Sequence, residues 1–268
     1  AEDSPFRLML QGRGLQAGGQ RLDDITLNSS GVRAAHQLSL ALRGQLQGKP
    51  QTLSLALQGG LDTHTLRWRG TLASLQADGA VPLRLAAPAA LQLAQDSVTL
   101  APSRWQALGS SWQLGDTSWQ QAAGWRSQGQ VNALALSSLA PWWTPPLPQD
   151  LVLAGQWSLA GQHGLPQGKI SLQRLSGDLT LPAQGSHPAQ SLGLSRAMLQ
   201  LGLGENAPFS LQLDNRFGRV GGEGSINLPA GSTSLDSASI NGRLTAAVPA
   251  LAVLQSRMPA GTELDGSL

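Results

Sequence analysis

The side chains best suited to proton transfer or metal ligation near neutral pH are four histidines, His36, His64, His163 and His187. They are scattered, and none forms the HxxxH pair that sets two imidazoles on one helical face, so their spacing offers no metal site. They read as strand or loop surface. The 16 acidic residues are dispersed as well, and the adjacent pair Asp23-Asp24 reads as a solvated turn. No GxSxG elbow is present to expose a serine nucleophile. Absence of cysteine removes a thiol nucleophile, Cys-ligated zinc and any disulfide scaffold. Gly12, Gly14 and Ala17 fit GxGxxA after a strand, but Gly18, Gly19 and Gln20 stand where a phosphate-binding helix would have to begin, so the segment reads as a turn. These residues point away from an enzyme and call for no cofactor or metal. They do not favour nucleic acid either. The charge balance is 18 basic to 16 acidic residues, net +2, and the densest cationic cluster, Arg67 and Arg69, puts only two arginines on one strand face.

The elements that carry these side chains are strands. Apolar residues recur with period two, which sets alternate side chains on opposite faces of a strand. Leu38, Leu40 and Leu42 alternate with Gln37, Ser39, Ala41 and Arg43; Leu53, Leu55 and Leu57 alternate with Thr52, Ser54, Ala56 and Gln58. The same alternation carries Leu66, Trp68, Gly70 and Leu72, and then Leu151, Leu153, Gly155, Trp157 and Leu159. Turn signals such as Gly48-Lys49-Pro50, Ala77-Asp78-Gly79, Gly204-Glu205-Asn206 and Pro229-Ala230-Gly231 separate roughly fifteen to twenty strands, at antiparallel hairpin spacing. Two short helices are expected, over 137–143 before Pro145 and Pro146 and over 249–257 before Pro259. Pro145, Pro146 and Pro148 serve as the link into the next strand. Charged residues are 13% of a chain with 32 glycines and 49 leucines, too apolar for a solvated tail. No window is apolar enough for a membrane helix, and the pattern stops in mid-stride at both ends, as in a piece of a longer protein.

Three architectures give each strand one oily face: a closed sandwich or barrel, a membrane barrel, and an open curved sheet with an apolar groove. Zero tyrosine and three phenylalanines argue against the aromatic girdles of a membrane barrel. Composition does not separate the other two. A closed sandwich would suit a structural or adhesive domain of a secreted or surface protein, and an open leucine wall suits acyl chains, which need no specific polar contacts. A glycine on the apolar face, as in "LALRGQL", "LRWRGTL" and "LVLAGQW", leaves a gap where backbone or ligand can approach.

The stretch "LRWRGTLASLQADGAVPLRLAAPAALQLAQDSVTL" at 66–100, followed by "GQVNALALSSLAPWW" at 129–143, "DLVLAGQWSLAG" at 150–161 and "GLPQGKISLQRLSGDLTL" at 164–181, resembles a middle segment of the TamB family, within the AsmA-like group. The succession of motifs carries the resemblance, which covers essentially the whole chain. Relatives often carry a cysteine pair where this chain reads "SRWQALGSSWQ" at 103–113, so a disulfide expected there is absent. The resemblance implies an all-β, elongated, curved antiparallel sheet, a β-taco or half-pipe, with residues 1–268 forming a single segment and a short helix and Pro-rich link near 137–149. It implies a periplasmic location, with an anchor in the inner membrane lying outside this chain. It also implies phospholipid transport between the membranes, an Omp85-type outer-membrane partner (TamA) and support of autotransporter and outer-membrane protein assembly. The groove it implies would be lined by Leu38, Leu40, Leu42, Leu53, Leu55, Leu57, Leu66, Trp68, Leu83, Leu85, Leu91, Leu93, Leu151, Leu153, Trp157, Ile170, Leu172, Leu199, Leu201, Leu203, Phe209, Leu211, Leu213, Ile226 and Leu228. Trp142 and Trp143, on the short helix, would plug or line the trough or cap the sheet.

Overall fold

Strands that alternate leucine with serine, glutamine or alanine bury half of each strand when they pair edge to edge with their oily faces aligned. The computed structural model describes residues 4–17, 20–46, 48–142, 150–162, 166–181, 189–204, 206–227 and 239–249. Nearly all of them are antiparallel strand, so the all-β class read from the alternation is the one observed. Twenty strands occur among the described residues. The chain divides into two compact units, residues 1–129 and 130–268.

The first unit opens with a meander of five long strands: β1 (Phe6–Ala17), β2 (Gln20–Val32), β3 (Ala35–Leu46), β4 (Lys49–Asp62) and β5 (Arg67–Gly79). Turns are short. Arg33 and Ala34 join β2 to β3, and Gly48 takes φ +76° between β3 and β4, a conformation a side chain disfavours. Gly12 and Gly14 lie inside β1, with an irregularity at Gly14, φ +66°, and not in a turn; β1 ends at Ala17, which pairs with Gln20 at the start of β2, and Gly18 and Gly19 of the expected turn lie outside the described residues. Asp23-Asp24 is not a turn either: both are in β2, where the register with β3 skips Asp23. The carboxylates are solvated and paired, Asp23 with Arg21 at 2.7 Å and Asp24 with Arg13 at 3.4 Å.

Beyond β5 each row of the sheet is broken in two. β6 (Leu83–Leu85) and β7 (Ala89–Ala94) both pair with β5; β8 (Ser97–Leu100) and β9 (Ser103–Ala107) form the next row; β10 (Ser110–Leu114) and β11 (Thr117–Gln120) the third. The breaks line up: Ala86 donates its N–H to Arg104, Ala101 donates to Ala90, and Gly115 donates to Gln128 of β12 (Gly124–Ala135). Pro88 and Pro102 sit in two of these breaks, where a residue without an N–H costs no ladder bond. The buried cluster gathers at this crease: Leu72, Leu85, Ala89 and Trp105, with Leu55, Leu57, Leu75, Leu83, Leu100, Trp112 and Leu114 packed against it. Trp105 pairs directly across from Trp112, and their indole N–H groups are satisfied by Ser103 Oγ at 2.9 Å and the Ala107 carbonyl at 3.0 Å.

In the second unit β13 (Val152–Gly161), β14 (Gln167–Ser176), β17 (Arg196–Leu203), β18 (Asn206–Asn215), β19 (Gly218–Asn227) and β20 (Ser239–Ala247) form another antiparallel meander. The short strands β15 (Thr180–Leu181) and β16 (Gln190–Ser191) pair in an excursion between β14 and β17. Asp178 staples that excursion. Its carboxylate accepts hydrogen bonds from the N–H groups of Leu179 (2.8 Å), Gly193 (2.6 Å) and Leu194 (2.9 Å) and from the Ser191 hydroxyl. Partial burial pushes its pKa up, but the bonds from Ser191, Leu194, Gly193 and Leu179 outweigh that and hold it down at about 2.

The helix expected over 137–143 is a 3₁₀ turn, Leu136–Trp142. Beyond Pro249, the second expected helix lies outside the described residues, as do the Pro145–Pro148 link and the Pro229-Ala230-Gly231 turn. Among the described residues no helix is long and apolar enough to cross a membrane.

Candidate functional site

Register converts the alternating leucines into continuous rows. Leu10, Leu27, Leu40, Leu55 and Leu75 stand directly opposite one another from β1 to β5. A flanking row runs through Ile25, Leu42, Leu53, Ala77 and Leu83, and another through Leu38, Leu57, Leu72 and Ala89. Four inter-strand steps of ~4.8 Å make the first row about 19 Å long. Along β3 the apolar side is half-buried at every position from His36 to Leu42, while Gln37, Ser39, Ala41 and Arg43 are exposed. Among the described residues no side chain is fully buried.

The second unit repeats the arrangement. Gly155, Leu172, Leu199, Leu211 and Gly222 form one row; Trp157, Ile170, Leu201, Phe209 and Gly224 form its neighbour. Leu203, Leu213 and Ile226 are half-buried on the same alternating side of their strands. Leu153 stands opposite Arg174, which turns its guanidinium onto the carbonyls of Gly177 (2.8 Å) and Ser195 (3.4 Å).

Leu66, Leu85 and Leu151 are set apart from the half-buried candidates by their exposure. Leu66 precedes β5, in a turn with φ +51°, and is 61% exposed, because the Asp62 carboxylate caps that turn through His64 N and Thr65 N and delays the strand by one residue. Leu85 and Leu151 are each only 6% exposed: Leu85 in the crease cluster, and Leu151 ahead of β13, where its carbonyl accepts the Leu136 N–H. Leu91 and Leu93 are half-buried on β7 opposite Gly70 and Trp68. Leu228 and Trp143, and the side chain of Trp142, lie outside the described residues.

The glycine gaps on the apolar side are filled from within. The Trp68 ring lies over Gly59 and Gly70, where an added Cβ would come within 2.6 and 2.5 Å of it, and the Phe209 ring covers Gly224 and Gly242 in the same way. Trp68 is held there by a hydrogen bond from its Nε1–H to His36 Nε2 at 3.0 Å. That pairing was not legible in the sequence, where His36 reads as surface; the signal available was Gly70 two residues from Trp68 in one strand, with Gly59 in the strand before it.

An open depression on the leucine side is lined by Leu22, Leu42, Gly44, Leu46, Gln51 and Leu53. Another is lined by polar residues, Arg7, Asn28, Gln37 and Gln58, together with the apolar Leu8, Met9, Leu38 and Leu57. Among the described residues no three His, Asp or Glu side chains converge as metal ligands.

Fold and site together define a class: antiparallel sheet proteins that present long, half-covered apolar rows. The chain matches, over residues 1–268, the family model described as TamB, N-terminal domain. It belongs to the TamB family. The motifs pointed to that family, and the model that matches is described as its N-terminal domain. Proteins of this family are non-enzymatic periplasmic modules anchored at the inner membrane. No solved structure matches the chain.

Proposed function

We propose that each unit supplies an apolar wall along which phospholipid acyl chains move between the inner and outer membranes, as part of one periplasmic groove segment, residues 1–268, of a TamB-like protein. The observation that supports this most is the unbroken leucine row from Leu10 to Leu75, aligned across five strands with its members short of full burial. Its length of about 19 Å exceeds the ~15 Å of one leaflet's hydrocarbon layer, so one acyl chain lying across the strands meets methyl groups throughout. Such a wall attracts hydrocarbon by area alone and does not select a headgroup. Trp68, Trp157 and Phe209 add flat apolar surface to it, and the remaining half-buried leucines named above line it. Membership of the family supports the setting: a module anchored at the inner membrane, working with a TamA-like Omp85 partner and supporting autotransporter and outer-membrane protein assembly.

Native mass spectrometry with lipid extraction, on protein purified from bacteria without detergent, tests the reading. Phospholipid should copurify at one or more molecules per chain, and Leu40→Asp, which puts a charge in the middle of the row, should remove most of it. A folded protein free of lipid in both forms would overturn the proposal in favour of a closed structural domain.

A further inference from the structure

His36 is held by two partners that each play a single hydrogen-bonding role. The Arg33 carbonyl, 3.2 Å from Nδ1, can only accept; the Trp68 indole N–H, 3.0 Å from Nε2, can only donate. The imidazole is therefore neutral, with its proton on Nδ1 and a bare Nε2. The Arg33 carbonyl is itself fixed, since it also accepts the Leu61 N–H at 3.0 Å. Around this contact the rings are close but unstacked: Phe6 lies 5.8 Å and Trp68 6.4 Å from the His36 ring, tilted by 58° and 53°. Beneath the indole lie Gly59 and Gly70, which offer it no side chain to hold, and the bond to His36 is its polar tether.

We propose that His36 is a pH-sensitive latch for Trp68. Protonation at Nε2 turns the acceptor into a donor, sets two N–H groups against each other and releases the indole from the glycine floor, uncovering Gly59 and Gly70. The charged groups at the His36 end of the surrounding strands are Arg7 on β1, Arg33 on the β2–β3 turn, Asp62 at the end of β4, and Arg67 and Arg69 on β5; His64 lies in the β4–β5 turn. None of their side chains is among the hydrogen-bond partners of the imidazole, so the latch answers to its own protonation. The device is independent of whether the wall carries lipid.

NMR on the 268-residue protein tests it, with the Trp68 indole signal assigned by Trp68→Phe. At pH 8 the His36 nitrogen shifts should report Nδ1 protonated and Nε2 bare. Between pH 8 and 5 the Trp68 N–H signal should move along the His36 titration curve, and its exchange with water should rise about tenfold, the effect of losing one hydrogen bond. In His36→Gln, whose amide oxygen accepts without titrating, the Trp68 signal should stay still over the same range. The opposite tautomer at pH 8, or a Trp68 signal that ignores the titration, would overturn the latch. These two wild-type readouts decide the matter even if the variant fails to fold.

Discussion

Truncating Leu40 and Leu85 separately to alanine distinguishes an open wall from a closed core, because both leucines lie in the first unit and differ in how far protein covers them. The change removes three carbons, worth about 2.4 kcal/mol in full burial at ~0.8 kcal/mol each. Leu40 is half-buried, so roughly 1.2 kcal/mol is at stake, and the vacated space opens to solvent instead of becoming a void. Leu85, 6% exposed among Leu72, Ala89 and Trp105, loses nearly the whole transfer term and leaves a cavity, for about 2–5 kcal/mol. Urea unfolding followed by circular dichroism measures both, with equal m-values confirming that the transition is the same. The expected result is a loss at Leu85 at least twice that at Leu40. Equal losses of several kcal/mol would refute the reasoning, since they would mean that something covers the Leu40 side as completely as the crease covers Leu85.

Gly70→Ala should cost about 1–3 kcal/mol by denaturant melt, because its Cβ would meet the Gln58 carbonyl and the Trp68 ring; an unchanged midpoint would mean the indole is not seated there. The Asp178 staple gives a pH signature. Its folded pKa, about 2, lies below the ordinary 3.8, so its stabilisation is complete above about pH 4 and is lost as pH falls from there through about 2. After allowance for solvent screening this is on the order of 1 kcal/mol. Asp178→Asn should flatten that part of the pH profile and speed amide exchange at Gly193 and Leu194; a profile identical to wild type would remove the staple.

Much of this protein was legible because strand periodicity is local. Leu38, Leu40 and Leu42 alternate with polar residues whatever surrounds them, and so do Ile170 and Leu172 or Leu199 and Leu201; the backbone then places each set on one face. Turn glycines such as Gly48 and Gly204 were readable for the same reason, since their positive φ is a property of the residue and its neighbours. The Asp62-capped turn that leaves Leu66 exposed was less so, because a one-residue delay in where β5 starts carries no apolar signal.

The sequence by itself thus determined the all-β class, the oily and polar sides of each strand and the poverty of catalytic groups. Tertiary structure decided which leucines share a row, which are sealed and what fills the glycine gaps. Leu40 meets Leu27 and Leu55 only because the turns and bulges set a register, and a slip of one residue would put serine there instead. Leu85 is sealed while Leu40 is not because the Pro88 and Pro102 breaks align across the sheet, bringing residues from β5, β6, β7 and β9 onto one crease. His36 and Trp68 are 32 positions apart, and no local rule couples them; they meet because β4 lies between their strands and has glycine where the indole must pass.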